Sequence, residues 1–249
     1  MSEYIEGKRP VIEALRSDMP IASVLVADNL QRDGLVKDIL RKAKAQGIAV
    51  KFVPRGQLDG KSERGSHQGV IAQTAAFPYA RLGDVLKRAQ AQFDDKGRAL
   101  IVMLDHITDA GNLGAIARSA EVVGAAGLVL PNKRSARVTA STYKSSAGAI
   151  ASIPVAQVAN LKQTLERCKE EGFWVVGASE KAPRGIWEAN FEGRIVLVMG
   201  GEGEGLARLT QETCDFLVAL PQEGKTASLN VAQAATAFMY EWLRQNRPD

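Results

Sequence analysis

Apolar positions fall into short runs separated by polar, glycine-bearing stretches, and these runs alternate with segments of helical spacing. In the first 76 residues, Ile21-Ala22-Ser23-Val24-Leu25-Val26, Ile48-Ala49-Val50-Lys51-Phe52-Val53 and Gly69-Val70-Ile71-Ala72-Gln73 read as strands. Leu35, Ile39 and Leu40 recur at helical spacing within Arg32 to Gln46, a stretch that stops at Gly47. Gly56 to Gln68 is polar and rich in glycine, serine and charge, the pattern of a mobile loop. Phe77-Pro78-Tyr79 breaks the pattern, and a helix near Leu82 to Phe93 runs on to Asp94-Asp95-Lys96-Gly97, so residues 77–98 read as a linker between domains at 1–76 and 99–249. Beyond it, Leu100-Ile101-Val102-Met103-Leu104 is a near-continuous apolar run, as expected of a strand buried on both faces of a parallel sheet. Further strands are expected at Leu128 to Leu130, Phe173 to Val176, Ile195 to Met199 and Phe216 to Leu220, with helices near Leu113 to Val123, Leu161 to Glu171 and Leu229 to Arg244. Such alternation predicts an open α/β sheet with ligands at the carboxyl ends of its strands.

Composition narrows the class. The 249 residues, 45% hydrophobic and 24% charged, suffice for one large or two modest folded domains and exclude a disordered or collagen-like chain. No apolar run reaches the ~20 residues that span a bilayer, and Met1 to Glu6 lacks the features of a signal peptide, so a cytoplasmic protein without a membrane partner is expected. Cys168 and Cys214 are far apart and lie among apolar residues, which favours buried free thiols; with His67 and His106 the only histidines, no metal cluster is expected. The net charge is +4, and from Val122 to Leu165 there is no acidic residue, whereas Lys133, Arg134, Arg137, Lys144 and Lys162 all fall there. Such a local positive surface suits a polyanion.

Three loops that follow strands carry the candidate chemistry. The first runs from Asp105 to Ser119. In local terms Asn112 there is an N-cap, and Arg118, two turns on among Ala115, Ile116, Ala117 and Ala120, needs a phosphate, a carboxylate or water as partner. The second is Met199-Gly200-Gly201-Glu202-Gly203-Glu204-Gly205-Leu206, whose glycines imply a sharp turn or a close approach to a ligand. Arg208 stands where a third dinucleotide-binding glycine would be, and Glu202 and Glu204 would repel a pyrophosphate, so an uncharged or cationic cofactor fits better than a nucleotide phosphate. The third leads from Leu220 through Ser228-Leu229-Asn230-Val231-Ala232 into a last helix of small residues, with Ser228 as candidate cap and Asn230 in the first turn.

Taken together, the three loops closely resemble the three motifs of the SpoU/TrmH branch of the SPOUT methyltransferases. Asn112-Leu113-Gly114-Ala115 with Arg118 is similar to the first motif, Gly200 to Leu206 to the second and Ser228 to Ala232 to the third. Arg134-Ser135-Ala136, Lys144 to Ala149 and the N-terminal Gly7 to Leu15 with His67-Gln68-Gly69-Val70 also resemble the family, in particular its RlmB-like 23S rRNA guanosine 2′-O-methyltransferases. The resemblance implies a C-terminal α/β domain with a deep trefoil knot, a small N-terminal α/β RNA-binding domain, S-adenosylmethionine as cofactor, 23S rRNA as partner and a homodimer whose active site uses both subunits. It implies cofactor contacts at Met199, Gly200, Gly201, Glu202, Leu220, Ser228 and Leu229, and catalytic or positioning roles for Asn112, Arg118, Glu202, Ser228 and Asn230. Because a guanidinium ordinarily keeps its proton, Arg118 is expected to bind the target phosphate and stabilise the developing alkoxide, with a deprotonated arginine as the bolder version. RNA contacts are expected at Arg64, His67, Gln68, Arg134 and Lys144. The alternatives are a tRNA ribose methyltransferase and a non-catalytic RNA-binding assembly factor; a nicotinamide-dependent oxidoreductase is disfavoured by its missing fingerprint.

Overall fold

A computed structural model describes residues 3–17, 19–62, 65–225 and 228–247. The chain forms two compact units, Met1–Pro78 and Tyr79–Asp249. The first contains β1 (Glu3–Glu6), α1 (Lys8–Arg16), β2 (Ile21–Ala27), α2 (Gly34–Ala45), β3 (Ala49–Val53), α3 (Arg55–Asp59) and β4 (Val70–Thr74). Its sheet has the order β1-β4-β2-β3, with β2 and β3 parallel and β4 antiparallel to both of its neighbours. Alternation along β2 sends Val24 and Val26 to a face covered by Val11 and Leu15 of α1 and Val36 and Ile39 of α2, while Leu25 and Ala27 pack on Leu58 and Ile71 on the other face. The Asp33 side chain caps α2 by accepting from Val36 N at 2.9 Å.

Two expectations for this unit are corrected. Residues 3–16, left without elements by periodicity, form β1 and α1, and the stretch 56–68 is tied down rather than mobile. Leu58 of α3 is fully buried, and so is His67, whose Nε2 bonds Asp59 Oδ1 at 2.8 Å while its Nδ1 accepts from Gly69 N at 3.0 Å. One buried leucine and one buried imidazole, hidden in a polar context, anchor the segment.

The second unit comprises α4 (Leu82–Lys96), β5 (Ala99–Asp105), α5 (Ala110–Val122), β6 (Gly127–Pro131), α6 (Ala140–Ser145), β7 (Val155–Val158), α7 (Leu161–Glu170), β8 (Trp174–Ala178), β9 (Arg184–Gly185), β10 (Arg194–Gly200), α8 (Arg208–Thr213), β11 (Phe216–Ala219) and α9 (Val231–Asn246). The sheet is parallel throughout, in the order β7-β6-β5-β10-β8-β11-β9. Every residue of β5 is buried, as its unbroken apolar run requires. The stretch read as a linker is corrected: Val85, Leu86 and Ala89 of α4 pack with Ile101 and Met103 of β5, so the helix belongs to this unit's core.

Sheet order creates the site. From β5 the chain steps outward to β6 and β7, then returns to β8 on the far side and leaves a gap that β10 fills. The strand order therefore reverses beside β5 and β10, where the rule for open α/β sheets places ligands outside the carboxyl ends. Gly200, the last residue of β10, pairs in register with Asp105, the last of β5, so the first and second loops leave the sheet side by side.

Candidate active site

The first loop becomes α5 at a different residue from the one periodicity suggests. Asp109 is the N-cap, its Oδ1 accepting from Asn112 N at 2.7 Å, and the helix begins at Ala110. Asn112, expected as the cap, is thereby released from capping, and its Nδ2 donates to Glu202 Oε1 at 2.9 Å. In the third loop it is Asn230, not Ser228, that caps α9, with its Oδ1 accepting from Ala232 N at 2.9 Å. Its Nδ2 donates to Glu202 Oε1 at 2.8 Å and to Asn112 Oδ1 at 3.0 Å. One carboxylate oxygen thus accepts from two carboxamides, and a single hydrogen-bonded triangle ties together residues 112, 202 and 230. An ionised acceptor with both donors in place holds the amides in one orientation more firmly than neutral partners would.

Glu202 also lines a cavity of about 230 Å³ at the carboxyl ends of β8, β10 and β11. All seven residues expected to contact the cofactor, Met199, Gly200, Gly201, Glu202, Leu220, Ser228 and Leu229, lie in its wall. The second loop folds back on itself, with Gly205 N donating to Gly201 O at 3.0 Å. A Cβ on Gly200 would stand 2.2 Å from the Gly205 carbonyl carbon and 2.4 Å from Leu206 N, so only glycine lets the two sides of the loop close. Behind the loop lies Asp105, fully buried, whose Oδ2 accepts from Ala207 N at 2.8 Å and whose Oδ1 bonds His106 Nδ1. A buried carboxylate requires such partners, and these fix the far end of the loop.

Sequence reasoning missed Asp105, although an acidic residue closing an all-apolar strand run is a readable signal of a buried acceptor. It also missed the wall formed by Ala178, Ser179, Glu180 and Lys181 after β8, which the rule for carboxyl ends of parallel strands would have flagged. Cys168 and Cys214 are free thiols, and burial pushes both up to about 12.

Other expected site residues lie apart from the triangle. Arg118 is exposed on α5 and makes no hydrogen bond or ion pair among the described residues. Ser228 is exposed at the cavity and Gln68 is exposed in the first unit, where its Oε1 accepts from Lys8 N at 3.3 Å. Arg134 and Lys144 are exposed in the segment after β6. That segment packs tightly on α5, since a Cβ on Gly114 would stand 2.0 Å from Ser145 Oγ and 2.5 Å from Thr142 O. His67 is corrected: 2% exposed and with both ring nitrogens engaged, it cannot present its imidazole to RNA. Arg64 lies outside the described residues. Among those residues no group of histidine, cysteine and acidic side chains is suited to a metal ion, and no helix is long and apolar enough to cross a membrane.

Residues 99–240, the segment that carries the triangle and the cavity, match the model of the SpoU rRNA methylase family. The chain belongs to that family. This SpoU methylase carries a second match over residues 4–80, to a model described as RNA 2′-O ribose methyltransferase substrate binding. It is 42% identical over 246 residues to YacO of Bacillus subtilis, named as a TrmH family tRNA/rRNA methyltransferase, with 99% of this chain and 97% of the relative covered. Its fold matches the SpoU methyltransferase AviRb from Streptomyces viridochromogenes, solved in complex with AdoMet, with a TM-score of 0.65, 26% identity, and 98% and 90% of the two chains covered. It also shares the fold of an AdoMet-bound rRNA methyltransferase from Sinorhizobium meliloti, with a TM-score of 0.63, 24% identity, and 99% and 88% coverage. This SpoU methylase is accordingly an RNA methyltransferase.

Proposed function

We propose that this protein uses S-adenosylmethionine to methylate a ribose 2′-hydroxyl of RNA in the cytoplasm, with a guanosine of 23S rRNA as the target. The observation that carries this is Glu202, which at once closes the asparagine triangle and lines the glycine-walled cavity, joining a polar ribose site to a cofactor site. The cavity suits the cofactor on charge: Glu180, Glu202 and Glu204 line it with a single cation, Lys181, an environment that favours a sulfonium and an ammonium over a pyrophosphate. Met199, Gly200, Gly201, Leu220, Ser228 and Leu229 would hold it, through backbone groups that the glycines leave uncovered.

When bound, S-adenosylmethionine supplies an electrophilic methyl group. The protein's own part is to position the ribose and manage charge. Asn112 and Asn230, held by Glu202, present amides that orient the ribose hydroxyls, and fixed geometry of this kind supplies much of the rate in a displacement reaction. Arg118 binds the adjacent phosphate and stabilises the oxyanion that forms as the hydroxyl loses its proton.

Arg118 makes no bond to the triangle of its own chain, which supports a homodimer in which a second copy completes the site. α5 and α9 run side by side, joined by Ser119 Oγ and Thr236 Oγ1 at 2.7 Å, and one turn further on each helix leaves a large apolar side chain exposed, Val122 at 59% and Tyr240 at 48%. A trefoil knot threaded by the loops after β10 and β11 belongs to the same proposal. It is supported by the insertion of β10 between earlier strands and by the return of α9 to pack on α5. Arg134 and Lys144, in the stretch without acidic residues, contribute an RNA-binding surface, as does Gln68 in the first unit.

The test incubates the purified protein and an Arg118→Ala variant with labelled S-adenosylmethionine and unmodified 23S rRNA or tRNA, then maps ribose methylation. Label at one 23S 2′-hydroxyl that disappears in the variant is expected. Label confined to tRNA would move the target, and failure to bind the cofactor would favour a non-catalytic RNA-binding factor.

A further inference from the structure

Charge in the first unit is unevenly placed. Residues 32–55 hold seven lysines and arginines against two aspartates, whereas the rest of residues 1–76 hold five against seven acidic residues. The whole positive excess of the unit therefore sits on the half formed by α2 and β3. Both of its acids are engaged: Asp33 accepts from Lys8 Nζ at 2.6 Å and caps α2, and Asp38 pairs with Arg41 at 2.9 Å. Lys37, Arg41 and Lys44 are exposed at helical spacing along one stripe of α2, opposite its buried Val36, Ile39 and Ala43.

Beside this stripe, β3 is the edge strand and pairs with β2 alone among the described residues. Phe52 stands opposite Val26 in register, yet while Val26 and Val50 join the hydrophobic core, Phe52 does not and is 50% exposed. The guanidinium of Arg32 lies over its ring, 5.3 Å from the centroid, and Lys51 and Arg55 are exposed on either side in sequence. Thus an uncovered aromatic ring carrying an arginine plane sits at the rim of a field of cations. Ring and guanidinium are both flat faces on which an unpaired base can stack, and the surrounding cations suit the phosphates on either side of it.

We infer that the α2–β3 edge, with Phe52 and Arg32 as a stacking platform and Lys51 and Arg55 as phosphate contacts, docks an unpaired nucleotide of the RNA. The inference rests on the RNA substrate proposed above and moves the first unit's main RNA contact away from the His67 loop, where the imidazole is buried.

The experiment compares the full chain with its Phe52→Ala, Phe52→Leu and Phe52→Tyr variants. Fluorescence anisotropy is read on a labelled RNA hairpin with an unpaired loop and on the fully paired duplex of its stem. Phe52→Ala and Phe52→Leu should weaken hairpin binding about 5- to 100-fold, leave duplex binding within about twofold, and leave S-adenosylmethionine affinity unchanged, while Phe52→Tyr restores binding. A Lys51→Gln, Arg55→Gln variant should flatten the salt dependence of binding by roughly one unit of slope. Equal hairpin affinity for Phe52→Ala and wild type, or no measurable hairpin binding by wild type, overturns the proposal. A wild-type protein that binds the hairpin through Phe52 but methylates no RNA would instead sink the catalytic proposal and leave the platform standing.

Discussion

Replacing Gly200 by alanine tests the cofactor cradle at its tightest point. The added Cβ would stand 2.2 Å from the Gly205 carbonyl carbon, where ordinary contact begins near 3.4 Å, so the facing backbone must withdraw by about 1 Å. Neither side can yield cheaply, because Gly200 is held in the sheet by its pairing with Asp105 and Gly205 is bonded back to Gly201. Overpacking against backbone costs about 1–3 kcal/mol, and losing the Gly205–Gly201 hydrogen bond adds about 1 kcal/mol. For a unit of this size that is a fall in Tm of roughly 4–12 °C. The loop wall also moves, so the S-adenosylmethionine Kd should rise at least about tenfold. Thermal unfolding with and without the cofactor, together with calorimetric titration, measures both effects. Two controls separate the causes: Gly224→Ala adds a Cβ into open space at ordinary φ and should be neutral, while Gly203→Ala adds one into open space at φ +85° and should show backbone strain without collision. A Gly200→Ala protein whose Tm stays within about 1 °C of wild type and whose cofactor affinity is unchanged would refute the cradle.

The asparagine triangle should behave as one unit: Asn112→Ala and Glu202→Ala each lower kcat, the double variant falls little below the worse single, and additive losses would show that the hydrogen bonds do not act together. Asp105→Ala leaves Ala207 N–H without its acceptor and should cost about 2–3 kcal/mol of stability in urea unfolding, whereas His106→Ala, which keeps that bond, costs less; equal effects would remove the carboxylate from its anchoring role. Burial pushes Cys168 and Cys214 up to about 12, so the native protein keeps thiol protons that the unfolded chain releases above about pH 9. Stability should therefore fall as pH rises from there, by at most about 1.4 kcal/mol per pH unit for each thiol, and a Cys168→Ala, Cys214→Ala variant should show a visibly shallower slope.

The alternation of apolar runs and helical segments determined by itself that the second unit is an α/β parallel sheet, because a strand buried on both faces has no polar alternation to disguise it. The three loops were legible for the same reason: glycines crowded after a strand, and asparagines at helix starts, are local signals. Local signals misassigned what depends on neighbours far along the chain. Asn112 and Ser228 look like caps, but Asp109 and Asn230 take those places, and only the approach of Glu202 from 90 residues away shows what Asn112 is free to do. His67 reads as a polar loop residue, yet the partners that bury it are set by how α3 folds onto β4. The helix at 82–96 reads as a spacer because its apolar face has meaning only against β5. Periodicity records which side of an element is apolar; which other element covers that side, and which charges are left uncovered, is decided by the tertiary fold.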